Sequence, residues 1–579
     1  MFGLSNFATR VNFKEGCTMF NRLILWILLG FISGSLNAQN LEGVSSQPPI
    51  TLSGGISATV LFYGANGIAD RRQPFSYIFT GTPTISIYNS FTIPLYFTYS
   101  EQDRSFRQPF NQFGMSPYYK WITIHAGYRN LNYSQFTLAG HTILGAGAEL
   151  RPGIFRLGFM SGRFNKAVAA DTSSKSFQPY TYSTHGFAAK VGIGKGANFI
   201  DFSMVKAKDD SSSVHPENQN KGLITPAENI VIGFNGQVKF AKAFTFSLET
   251  ASSLYTRNIM DSAALSNNSN TGLTKVLGGF ITTNRTTERY NALQAAISFQ
   301  QKIFSMRLQY RRVDPNFKSM GAYFFNSDIE NITFAPTINL LKNKIRFGGS
   351  IGYQHDNLNK QKQTTSERII GSANMTANVD EHFGVDLNYS NYSNTQIRKT
   401  ILLGDSFRIA QVSRNLTITP RYIQATANYV QSIVLCINYN VFSSVDKQID
   451  NLSDTKSNNY FLNYQITIVP KNISYSVNLN YTDVKSASFE EGNYGLTLGI
   501  NKILFESKLS IGWLGSFLNG LHGASTGLIL NQNVNVNYRI NKHHSFGLAM
   551  NYINNKSQQT VLEPSYSEWR IDVNYRFIF

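Results

Sequence analysis

The chain has 579 residues, is 42% hydrophobic but only 15% charged, and carries Lys+Arg 52 against Asp+Glu 34 for a formal charge of +18. Charge well under the usual quarter, with no Pro- or Ser-rich linker and no change of texture, excludes a string of soluble domains joined by flexible segments. Polarity comes instead from Asn, Ser, Thr, Gln and Tyr, and nothing resembles a nucleic-acid module, so the basic balance suits anionic solutes or lipid phosphates.

The first element is an export signal. From Met19 the sequence reads MFNRLILWILLGFISGSLNAQN: Arg22 opens it, Leu23 to Leu36 is apolar, and Leu36-Asn37-Ala38 precedes a cleavage point at Gln39. The apolar run is shorter than the roughly 20 residues that a spanning helix needs. We expect Met19 as the true start, residues 1–18 as an extension, and residues 1–38 as the part removed. Gln39 stands where a lipoprotein would need Cys. Cleavage leaves Cys436 as the one cysteine, so no internal disulfide forms.

After a short segment, 39–55, strands begin at Ile56. Expected strands follow at 56–64, 75–88, 91–100, 118–129 and 143–151, and the same period of two runs to the end. Tyr475, Val477, Leu479 and Tyr481 alternate with Ser474, Ser476, Asn478 and Asn480; Ile571, Val573, Tyr575, Phe577 and Phe579 alternate with Arg570, Asp572, Asn574 and Arg576. No segment beyond the signal has a convincing helical period. The apolar face is rich in Tyr and Phe and the polar face in Asn, Ser and Gly, which fits a transmembrane barrel with lipid outside and water inside. Trp569 and Phe579 sit at opposite ends of the last oily face, where two interfacial girdles would lie.

The signal ending at Ala38-Gln39, the ladder of strands and the closing Tyr575-Arg576-Phe577-Ile578-Phe579 resemble a Gram-negative outer-membrane β-barrel of the Bacteroidota type. The resemblance is to a class and covers the whole chain after cleavage. It implies export to the cell outer membrane, contact with outer-membrane lipid and lipopolysaccharide, and recognition of Tyr575, Phe577 and Phe579 by the barrel assembly machinery. Segment 39–55, periplasmic on this reading, is too short for a TonB-dependent plug domain. Tight links such as Arg151-Pro152-Gly153, Ala241-Lys242 and Lys342-Asn343 alternate with long ones such as 164–181, 207–227, 255–288 and 313–327. The tight ones are expected as periplasmic turns and the long ones as external loops. The expected fold is thus all-β, one large antiparallel barrel over 56–579 with about 26 strands, or 24 as the alternative.

Few constellations suggest chemistry. Gly348-Gly349-Ser350-Ile351-Gly352 fits a hydrolase pattern but lies inside a strand, where that motif lacks its strand-to-helix turn. Asp209-Asp210 and His355-Asp356 sit at external strand ends and resemble the paired groups of omptin proteases, although parity alone does not bring them together. His543-His544 lies in a tight turn with no third ligand at metal spacing. Cys436 points into the lumen with Asn438 and Asn440. Arg71, Arg72, Arg104 and Arg107, in the first two long loops, could bind lipopolysaccharide phosphates or attract anions. No cofactor is expected. The leading expectation is a non-enzymatic pore for polar or anionic solutes. A structural or secretion barrel carrying a protein partner on its long loops is the alternative, and an outer-membrane hydrolase a distant third.

Chain parity singles out one stretch. Four strands up to Arg129 leave the chain periplasmic, yet 143–151 must run toward the periplasm, so Asn130 to Gly145 has to carry it outward. The preferred expectation is an extra wall strand near Tyr133–Ala139. The other is a lumen crossing, with Phe136, Gly140, His141 and Gly145 forming a constriction and the glycines allowing close backbone approach.

Overall fold

The computed structural model describes residues 48–101, 110–169, 180–214, 224–265, 272–322, 326–362, 364–398, 409–444, 454–486, 489–522, 527–557 and 564–579. The signal and its cleavage point lie outside these, as do Arg104 and Arg107. The chain divides into two compact units: residues 1–51 with 87–89, and residues 52–86 with 90–579. In the first, the Tyr88 N–H donates to Pro49 O at 3.2 Å. The second is the barrel.

Among the described residues 26 antiparallel strands close into a ring, as expected. Gly55–Asn66 pairs with Tyr566–Ile578 in unbroken register from Gly55↔Ile578 to Asn66↔Ser567, so the last strand seals against the first. Links at one end are tight, and several use left-handed backbone outside glycine: Lys120 at φ 51, Lys242 at φ 58, Lys342 at φ 57 and Asn472 at φ 48. Such conformations reverse two strands within a few residues. The long links all lie at the other end. One α-helix, Gly272–Gly278, occurs among the described residues, in a long link. No helix among these residues is long and apolar enough to cross a membrane, which says nothing of a strand wall.

Register places the oily residues outside. Val60 faces Val573, Phe202 faces Phe234, and Leu479 faces Leu462, each pair on the outer surface. Near the tight turns an aromatic band runs round the wall, with ring centroids 5.6 Å apart for Phe240–Phe244, 4.9 Å for Phe244–Phe299 and 6.2 Å for Phe299–Phe304. Phe577 and Phe579 continue it at 5.5 Å. This is the position of an interfacial girdle.

The strand count is right, but two expected elements are not. The strand expected over 118–129 is two strands with a turn at Lys120-Trp121. The second is Ile122–Asn130, and the first is broken into Gln112–Met115 and Tyr118–Tyr119. Pro117 lies at the break, having no N–H for the ladder. Ser116 N–H turns instead to Pro94 O at 3.0 Å, and Pro117 O accepts from Ile124 N–H at 2.9 Å. That missed strand restores the parity, so no wall strand is needed at Tyr133–Ala139, and residues 131–141 form none. Likewise 75–88 is Phe75–Gly81 and Thr84–Ile87, broken beside Pro83.

Candidate functional site

Residues 131–141 link Ile122–Asn130 to Thr142–Leu150 at the long-link end, and they fold into the lumen. A tight tip forms at 134–137, where Thr137 N–H donates to Ser134 O at 3.2 Å and Tyr133 N–H to Leu138 O at 2.9 Å. The tip hangs from Glu249 on Phe244–Thr256. That carboxylate accepts the Ser134 hydroxyl at 2.6 Å, the Gln135 N–H at 2.6 Å and the Gln135 side-chain amide at 2.8 Å. Thr137 meets the Ser203 hydroxyl at 3.0 Å, and its carbonyl accepts from Ser319 at 2.6 Å.

The wall is shaped to receive this segment. A Cβ added at Gly158 would lie 2.8 Å from the Tyr133 hydroxyl, and one at Gly233 would lie 2.5 Å from Thr137 Cγ2. Phe136 and Leu138 are fully buried. Leu138 packs with Ile143, Met160 and Val205, and Phe136 with Val231, Ala251, Val313 and Phe317. Lys190 lies over the Tyr133 ring at 4.8 Å and Arg311 over the Phe136 ring at 5.6 Å. A second inward segment, 314–322, reinforces the first: Ala139 N–H donates to Gly321 O at 3.1 Å, and Met320 N–H to Asn229 at 3.0 Å. Both pack on the inner wall between Thr142–Leu150 and Phe304–Val313.

The opposite inner wall is wet. Asn438 donates to Asn415 at 3.2 Å and Thr417 at 2.8 Å, Asn459 to Asn438 at 3.2 Å, and Asn574 to Thr59 at 2.7 Å. Toward the tight-turn end the inward side chains turn basic. Lys239, Arg307, Arg346, Arg421, Arg539 and Arg576 all sit within a few residues of a tight turn and share the inward face by register. Arg421 pairs with Asp386. Among the described residues Arg346, Arg539 and Arg576 have no acidic partner. Other inward acids are engaged: Glu149 with Lys190 at 4.0 Å and Asp201 with Arg156 at 2.8 Å near tight turns, Glu249 as above, Asp572 with Arg570 at 2.8 Å in mid-strand, and Glu568 with Arg71 at 3.4 Å toward the long links.

The constriction candidates separate. Phe136 is in the docked tip. Gly140, at φ 68 with open space beside it, lets the chain turn back to the wall. Gly145 lies in the wall itself, where an added Cβ would strike Ser161 O. His141 does not face an open pore: it is 2% exposed, its ring 5.3 Å from that of Phe164. Burial lowers its pKa from 6.5 to about 4. The docked segment therefore holds His141 neutral, while the released segment takes up a proton below pH 6.5. Docking is at full strength above 6.5 and weakens as pH falls toward 4, by about 3 kcal/mol in all. Conductance in planar bilayers should rise over that window, and His141→Asn should flatten the profile. A rise that persists unchanged in His141→Asn would assign it elsewhere.

Other candidates find ordinary partners. Arg71 turns into the lumen, lying 5.2 Å over the Tyr566 ring besides its contact with Glu568, while Arg72 is exposed. Asp209 is inward and accepts from Thr184 at 2.7 Å; His355 is outward, beside Glu330 at 3.9 Å. These two are not brought together. Ser350 bonds Ser372 at 2.7 Å in mid-strand. His544 meets the Tyr575 hydroxyl at 2.6 Å, and no metal-holding cluster occurs among the described residues. Cys436 faces inward as a free thiol. A serine, histidine and acid do meet unexpectedly: Ser116 Oγ is 2.9 Å from His125 Nδ1, and His125 Nε2 is 3.6 Å from Glu149. With Ser116 6% exposed and His125 fully buried, no substrate reaches the hydroxyl.

No protein-family model and no curated protein sequence matches the chain. Among solved structures, it is similar to the ferric yersiniabactin uptake receptor FyuA from Yersinia pestis at TM-score 0.40 and 10% identity, covering 92% of this chain and 81% of that one. The FrpB iron transporter from Neisseria meningitidis gives TM-score 0.38 and 10% identity over 91% of this chain and 81% of that one. The P pilus usher (PapC) translocation pore gives 0.33 and 10% over 91% and 99%.

Proposed function

We propose that the protein is an outer-membrane channel that passes polar solutes and favours anions, with no catalytic role. The observation that carries this is the inward basic collar near the tight turns, from Lys239 through Arg346 to Arg576. Rings of Arg and Lys at a pore exit raise the local anion concentration and exclude cations. Above the collar, neutral Asn and Thr side chains offer donors and acceptors that replace water around a polar solute without binding it tightly. Segments 131–141 and 314–322 narrow the passage to that Asn-lined side. On this reading the tight turns are periplasmic, the aromatic band is the lipid boundary, and Tyr575, Phe577 and Phe579 form the sorting signal for the assembly machinery.

Reversal potential in a salt gradient tests the proposal. The wild-type barrel should favour chloride over potassium by about threefold or more, and the triple variant Arg346→Glu, Arg539→Glu, Arg576→Glu should invert the preference. Cation preference in the wild type, or an unchanged potential in the variant, would overturn it.

A further inference from the structure

One patch of the outer wall departs from the oily pattern. Outward-facing Ala189, Thr250, Ser252 and Asn291 are small or polar there, and they leave a groove of about 580 Å³ walled by Val191, Phe202 and Phe234. The Ser252 side chain is 9% exposed, and its hydroxyl has no hydrogen-bond partner. Asn291 stands directly across the ladder from it.

The groove has a roof. Unlike 131–141 and 314–322, residues 272–286 of the long link between Phe244–Thr256 and Thr287–Gln300 fold outward. Its Leu277 and Ile281 pack on outward Ile230 and Leu254, and the same cluster includes Met204 and Ile232 of the groove wall. Thr282 N–H donates to Glu228 at 3.0 Å, and Thr256 donates to Thr282 O at 2.7 Å. Val276 and Phe280 on this link remain 62% and 59% exposed. Apolar side chains held out over the wall suit a lipid interface.

Cations crown one side of the groove. Lys206 and Lys208 face outward, each 3.6 Å from the buried carboxylate of Glu228. Arg163 and His185 occupy the adjoining positions on the same rung as Lys208. Glu228 answers one positive charge of this group, and Asp210, further out, is turned to the Ser212 hydroxyl at 2.6 Å. The heights form a series. Phe202, Met204, Lys206 and Lys208 climb one strand in steps of two residues, about 7 Å each. Apolar wall, polar Ser252-Asn291 pair and cations thus follow one another toward the long-link end.

We infer that this groove holds the acyl chain of a lipid with an anionic phosphate headgroup. The chain lies between Val191, Phe202 and Phe234, its polar linkage reaches Ser252 and Asn291, and the phosphate meets Lys206 and Lys208. The inference rests on the reading that the outer face meets lipid, but not on what the pore passes. It concerns a different surface from the loop arginines Arg71 and Arg72.

Native mass spectrometry of the folded full-length protein, released from vesicles of phosphatidylglycerol or phosphatidylcholine and stripped of annular lipid, tests it. One phosphatidylglycerol should persist per barrel, with phosphatidylcholine retained several-fold less. Ala189→Trp, which fills the groove from the lipid side, should lower retention about tenfold, and Lys206→Gln with Lys208→Gln should lower it several-fold. Heat-modifiable gel migration establishes that each variant is folded, and unchanged conductance of Ala189→Trp separates the groove from the pore. A folded Ala189→Trp barrel that keeps its lipid, equal retention of both lipids, or displacement by inorganic phosphate would each overturn the assignment.

Discussion

Removing residues 132–141 is expected to raise single-channel conductance several-fold while leaving the barrel folded. The segment contributes no wall strand, and it spans two residues of the long-link end that already lie on paired neighbours, Asn130↔Thr142. Its hold on the wall concentrates at Glu249, which accepts three hydrogen bonds from Ser134 and Gln135. Hydrogen bonds to a charged group are worth about 1.5–3 kcal/mol each, and they are shared here by one carboxylate. Glu249→Leu should therefore release the tip by an order of magnitude or more in its docking equilibrium. The point variant should flicker between a low and a high conductance, and the deletion should stay high. Equal conductance in wild type, Glu249→Leu and the deletion would mean that the segment narrows nothing the solute uses.

A single Arg placed on the outer face should damage assembly, and the same Arg one residue away should not. Val573 faces Val60 and Leu548 near the middle of its strand, on the oily side; Asn574 faces the lumen and Thr59. Charge at the lipid mid-plane costs about 2–4 kcal/mol, whereas a lumen position is solvated. Val573→Arg should lower the folded, heat-modifiable fraction in the membrane several-fold, and Asn574→Arg should leave it intact. Phe579→Asp should also lower it, while lumen-facing Arg576→Gln should not. Equal yields for Val573→Arg and Asn574→Arg would reverse the assignment of inside and outside.

Much of the candidate site follows from local features. Arg346, Arg539 and Arg576 each lie on the polar parity of a strand and within a few residues of a tight turn, so the basic collar can be read by counting. Pro117 and Pro83 likewise marked breaks that a continuous strand could not accommodate. The docking of 131–141 carried no such mark. Leu131, Tyr133, Phe136 and Leu138 among polar neighbours suit a half-buried strand, and the partner that holds them, Glu249, is more than a hundred residues away. A carboxylate on a lumen face looks the same in sequence whether it meets water or a folded-in tip.

The sequence alone determined the wall. A strand's two faces are set by successive Cβ directions, a property of each residue and its neighbour, so oily and wet sides and the alternation of tight and long links are written locally. Tertiary structure decided where the long links go. Segments 131–141 and 314–322 bury Phe136 and Phe317 inside, whereas Leu277 and Ile281 are carried outside onto Ile230 and Leu254. All three links carry apolar side chains, and burial by itself has no direction. The polar partners differ with the side, Glu249 for 131–141 and Asn229 for 314–322 within, Glu228 for Thr282 without, and they become neighbours of a link only after the sheet has curled shut.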